Sequence, residues 1–136
     1  MGLQGTISPP GNSPPLCIPW SVEEGQGGTM TKVRVNSGVC GFTVDVRVEK
    51  DKDRNFHISL DTECEMVKRL AEEISFLEFR APFTAILHNP VYRSASKNLK
   101  HAACPVPSGI LKAIEVEVGA CLPRPVTITF EEKQEG

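Results

Sequence analysis

The sequence predicts an α+β domain: an antiparallel sheet containing a β-hairpin, with about three helices packed on it. Three patterns carry this expectation. Residues 42–48 and 56–60 alternate apolar and polar positions at period two, on either side of the polar turn Asp51-Lys52-Asp53. Residues 62–74 and 107–118 repeat their apolar positions at helical spacing instead. Strand patterns grouped ahead of helical ones describe helices segregated on a sheet rather than a regular βαβ alternation.

In order along the chain, residues 1–29 hold prolines at 9, 10, 14, 15 and 19, many glycines and no periodicity. Such composition predicts a disordered tail, with a single domain over residues 30–136. Residues 24–30 also back-translate to a purine-rich stretch just ahead of an ATG, as a bacterial ribosome-binding site would. On that reading Met30 is the native start, and Cys17 and Trp20 have no role.

Val33 and Val35 predict a short strand ending at Ser37-Gly38. Phe42, Val44, Val46 and Val48 form a second, and Phe56, Ile58 and Leu60 a third. Thr62 and Glu65 read as a capping box opening a helix that carries Val67, Leu70, Ala71 and Ile74. Thr84–Leu87 is a candidate short strand. Asn89-Pro90 is a helix-start pair, for a second helix running to about His101. A third helix starts near Pro107, carries Ile110, Leu111, Ile114 and Val118, and stops at Gly119. Val126, Ile128 and Phe130 alternate with threonines in a final strand. The expected order is β-β-β-α-(β)-α-α-β, with no internal repeat.

The net charge of −2 is unevenly placed: residues 1–29 contain Glu23 and Glu24 and no Lys or Arg. Setting those two aside leaves 15 acids against 15 bases, so the domain is formally neutral. A neutral domain has no long-range field to gather nucleic acid or an anionic membrane, and neither partner is expected. No apolar run approaches the roughly 20 residues of a membrane span, and no export signal precedes the domain. A cytoplasmic location follows, where the five cysteines (17, 40, 64, 104 and 121) are expected to be free, reactive or metal-bound rather than paired.

Matching the apolar faces of the second and third strands pairs Val48 with Phe56, Val46 with Ile58 and Val44 with Leu60. Extended, that register sets Cys40 opposite Cys64; a slip of two keeps the faces and offsets the thiols diagonally. Cys64 also falls in the first turn of a helix, where unpaired N–H groups favour thiolate, although Glu63 and Glu65 oppose it. Cys104 immediately precedes the third helix, and His101 lies one turn earlier if the second helix persists. Taken singly, a cysteine is most often a small buried hydrophobe. Taken together, three at element ends, two of them sharing one end of a hairpin, point to a site. Cys121 follows Gly119 in a loop and is an optional member. No C-x₂-C pair, P-loop, dinucleotide-binding glycine motif or hydrolase elbow is present.

Gly38-Val39-Cys40-Gly41-Phe42, the lone Cys64, Val91-Tyr92, His101–Pro107 and Leu122-Pro123 together resemble a family of short proteins of unknown function from anaerobic bacteria and archaea, over residues 31–130. The resemblance implies an anaerobic setting, compatible with oxygen-sensitive sulfur or iron–sulfur chemistry. Cys104-Pro105-Val106-Pro107 is similar, over about four residues, to the C-P-x-P motif of TusA-type sulfur carriers. In those proteins the cysteine carries a persulfide and the prolines brace the helix start.

The leading expectation is a metal-binding protein holding zinc or an iron–sulfur cluster through Cys40, Cys64 and Cys104, with His101 or Cys121 as a fourth ligand. The alternatives are a thiol- or sulfur-transfer protein with Cys104 as nucleophile, and an interaction module with inert buried cysteines. Arg93, Lys97 and Lys100, at i, i+4 and i+7, mark a candidate surface for a protein partner, although most such runs are solvated faces. No particular reaction follows from these residues, and the oligomeric state is left open. Because residues 1–29 lack core periodicity, a chain starting at Met30 should melt at the temperature of the full chain; a midpoint several degrees lower would contradict this.

Overall fold

The structure, a computed structural model, describes residues 30–132; the expected disordered tail, residues 1–29, lies outside the described residues. Four strands form one antiparallel sheet in sequence order: β1 (Met30–Asn36), β2 (Thr43–Lys50), β3 (Phe56–Asp61) and β4 (Phe76–Leu77). Three helices complete the α+β fold: α1 (Glu65–Glu73), α2 (Pro90–Asn98) and α3 (Val106–Glu117). Val44, Val46 and Val48 on β2 and Phe56 on β3 are fully buried, while Arg34, Glu49, His57 and Ser59 are exposed. One face of the sheet therefore holds the core and the other stays wet. Val67, Leu70 and Ile74, with Ile110 and Ile114 of α3, close the core.

The β2–β3 register differs from the expected one by two residues, pairing Val48 with Ile58 and Val46 with Leu60. The cause is the turn, which spans residues 51–55 rather than three positions. Asp51 organises it, its carboxylate accepting the Asp53 and Asn55 N–H groups while Arg54 takes a left-handed φ of 70°. The apolar faces still match, because a slip of two preserves them.

Other boundaries also moved. Cys64, not Thr62, is the N-cap residue of α1. The Thr62 hydroxyl accepts the Cys64 N–H at 3.2 Å, so it closes a turn ahead of the helix and no capping box forms. The short strand pairs at Phe76–Leu77, whereas Ala81–Phe83 and Ile86–His88 are single 3₁₀ turns. α2 is capped as expected, the Asn89 carboxamide accepting the Val91 N–H at 2.9 Å, but it stops at Asn98. Arg93, Lys97 and Lys100 therefore do not form one helical stripe; Lys100 lies beyond the helix and Lys97 pairs with Glu73 at 3.3 Å. α3 ends at Glu117, two residues before Gly119 (φ 82°), with the Gly119 N–H bonded to the Val116 carbonyl and the Ala120 N–H to that of Glu115. Residues 123–132 are exposed and pair with no strand among the described residues, so the expected final strand is not formed there.

α3 lies across β1 and β2 and is fixed at both ends. At its far end the buried Glu117 carboxylate accepts the Thr31 hydroxyl at 2.6 Å and the Lys50 N–H at 3.2 Å. Near its start Gly109 packs so closely on β1 that a Cβ there would collide with the Val35 Cγ2 methyl. Gly109→Ala should lower the unfolding free energy by about 1–3 kcal/mol, as overpacking a close-packed core does, despite alanine's better helix propensity. Urea denaturation measures this, and an unchanged midpoint would mean that α3 sits farther from the sheet.

Candidate functional site

A small pocket of about 40 Å³ lies between the β1–β2 turn, the start of α1 and the segment joining α2 to α3; it is lined by Cys40, Cys64, His101 and Cys104, with Phe42, Val44, Val67 and Leu99 among the apolar walls. Each polar member arrives by a different route. Cys40 ends a 3₁₀ turn at Gly38–Cys40, bracketed by Gly38 (φ 81°) and Gly41 (φ 79°), and is exposed. These two glycines have open space where a Cβ would stand, so what they supply is the left-handed backbone of the turn. Cys64 is buried at the N-cap of α1, its position set by the Thr62 hydroxyl. The extended register of β2 and β3 carries position 40 past Cys64, so the two thiols face a common pocket instead of forming a cross-strand pair.

Cys104 is partly buried just before α3, where Pro105 is the N-cap and Pro107 falls in the first turn. A proline there loses no helical hydrogen bond. Because α2 ends at Asn98, His101 and Cys104 occupy a loop rather than successive helical turns; both nevertheless line the pocket. Cys121 does not. It is buried beyond the other end of α3, its thiol 3.5 Å from a Glu115 carboxylate oxygen. A helix of 12 residues, about 18 Å long, separates it from Cys104.

Burial pushes the Cys104 thiol above its ordinary pKa, and negative charge on Cys40 or Cys64 would raise it further; the Val106 N–H, bonded to the sulfur, acts against both. Cys104 is thus held as a neutral thiol, with one backbone donor in place to stabilise a thiolate. Among the described residues, no three His, Cys, Asp or Glu side chains stand at the spacing of a formed metal site. The four pocket groups would need to close by loop movement, and Cys40, His101 and Cys104 all lie in such segments.

A second cleft is wide and open, lined by Glu73, His88, Arg93, Ser94 and Lys97. Ser94, Asn98 and Lys97 hold the Glu73 carboxylate below the usual carboxylate range. His57, which no motif in the sequence ties to an acid, bonds Asp51 at 2.8 Å across the β2–β3 turn and lowers the Asp51 pKa. The signal was the turn itself, whose five-residue length brings residues 51 and 57 together.

The fold and site together define a small α+β protein with a thiol- and imidazole-lined pocket at one end of its sheet. The chain belongs to a family of unknown function, DUF6951, whose model matches residues 31–130. No curated protein and no solved structure matches the chain.

Alkylation should follow exposure and pKa. Cys40 should react first. Cys104 should lag, gaining reactivity only as pH climbs above the ordinary thiol range, and Cys64 and Cys121 should react only on unfolding. The sign for stability follows from the raised pKa: the Cys104 contribution is fully present below the thiol's unfolded value and is lost as pH rises through its folded one. Mass spectrometry of timed iodoacetamide digests reads the order, and Cys104 reacting ahead of Cys40 at neutral pH would contradict it.

Proposed function

We propose that this is a small metal-binding protein in which Cys40, Cys64, Cys104 and His101 close on a single soft divalent ion, zinc being the best fit. The observation supporting this reading is the pocket itself: three cysteines and a histidine, drawn from three separate stretches of chain, line one small apolar cavity. A set of three sulfurs and one imidazole nitrogen is a familiar tetrahedral zinc environment. The volume of about 40 Å³ has room for an ion or one or two waters, which favours a single metal over an iron–sulfur cluster. Binding would release the Cys104 proton, and the Val106 N–H would then donate to a metal-bound thiolate, a typical supporting contact.

The elevated Cys104 pKa weighs against the sulfur-transfer alternative, since a metal-free nucleophile works through a lowered one. No helix among the described residues is long and apolar enough to cross a membrane. A reducing compartment such as the cytoplasm would keep the Cys40, Cys64 and Cys104 thiols reduced and open to the ion.

Cobalt(II) titration of the reduced protein under nitrogen tests the reading. One equivalent should bind, with the thiolate charge-transfer and visible bands of a tetrahedral sulfur-rich site, and zinc should displace it. Cys104→Ser should weaken binding by more than about 100-fold, beyond the loss expected for an outer-shell partner, with the far-ultraviolet spectrum unchanged. His101→Ala should retain a weaker, three-sulfur site. The proposal fails if no saturable binding occurs, or if Cys104→Ser and Cys64→Ala both bind as the unaltered chain does.

A further inference from the structure

We propose that residues 125–130 of one chain add as a fifth strand to the free edge of β1 in a second copy, reciprocally, giving a strand-exchanged homodimer. Val126, Ile128 and Phe130 alternate with Thr127 and Thr129, a pattern built for a half-buried strand. Yet Val126, Ile128 and Phe130 are 66%, 80% and 94% exposed. Beyond the Arg124 N–H, which bonds the Leu122 carbonyl, the segment makes no backbone hydrogen bond among the described residues. The family match runs to Phe130, so the pattern is part of the domain.

β1 offers the complementary surface. It is a seven-residue edge strand, with β2 on one side and no strand on the other among the described residues. Proteins seldom leave an edge of that length bare, since its free N–H and C=O groups invite pairing. Beside β1, Val126, Ile128 and Phe130 would widen the apolar face that Val33 and Val35 begin under α3. Thr127 and Thr129 would fall on the wet side with Lys32 and Arg34. Glu131 and Glu132 follow the segment directly, so an acidic end meets a basic strand.

The chain's own edge is close but unused. α3 runs antiparallel to β1, with Glu117 beside Thr31 and Gly109 beside Val35, so the chain leaves the helix near the start of β1. The Arg124 N–H bonds the Leu122 carbonyl across Pro123, and the prolines at 123 and 125 have no N–H to donate, so the exposed residues 126–130 leave α3 without pairing to their own β1 among the described residues, as a strand that reaches a neighbour would.

Light scattering on the full chain tests this, the expected mass being twice the 14.9 kDa of one chain. Thr127→Pro removes an N–H from the added strand and Ile128→Asp places a charge on its apolar face. Neither residue packs on the core of its own chain, so both variants should fold with an unchanged far-ultraviolet spectrum. Each should halve the mass. Amide exchange should show residues 126–130 and β1 protected in the dimer, and residues 126–130 unprotected in either variant. A monomeric parent chain overturns the proposal, including one whose segment is protected by closing on its own β1. So does a dimer that survives both substitutions.

Discussion

The seating of α3 on β1 and β2 is the constraint from which the candidate site follows. The absent side chain of Gly109 lets the helix backbone settle against Val35, and Glu117 holds the other end to Thr31 and Lys50. Cys104 lies five positions before Gly109, and Cys40 five after Val35. One close contact therefore helps set the distance between the Cys40 and Cys104 arms of the pocket. A larger residue at position 109 would lift the helix and open the gap between those arms. Packing at the core and geometry at the thiols are the same quantity read at two places.

Much of the fold could be read from residue patterns because its strands and helices bury the faces that their periodicity marks. The valines of β2, with Val67 and Leu70 of α1 and Ile74 at its end, lie in the core as their spacing requires. What failed were features with no periodic signature. The β2–β3 register depends on how Asp51 folds its turn, and apolar matching cannot separate registers two residues apart. The end of α2 was missed because no glycine or proline marks Leu99, whose extended backbone stops the helix. The last strand pattern, Val126, Ile128 and Phe130, forms no strand among the described residues, because alternation marks the two faces of a strand and not the edge that it would pair with.

The pocket was legible for a related reason. Cysteines at element ends cannot be explained by an apolar stripe, and the ends of Gly38–Cys40, of β3 and of the segment before α3 meet at one end of the sheet. The pairing argument that first joined Cys40 to Cys64 used a register that the protein does not adopt, yet both thiols still reach the pocket because loops span the offset. Cys121 separated itself by helix length alone, since everything after α3 emerges at the opposite end of the domain.

The order in which these parts can come together in time also follows from the topology. β1, β2 and β3 pair as sequence neighbours, so their hairpins close over short loops. The Thr31–Glu117 bond, by contrast, joins residues 86 positions apart, and docking α3 must close that long loop. Cys40 and Cys64 can be in place before this step, but Cys104, at the start of α3, joins them only when α3 docks. A chain halted short of it, whether newly made or partly unfolded, carries an incomplete set of pocket groups, so a complete pocket is a marker that folding has finished.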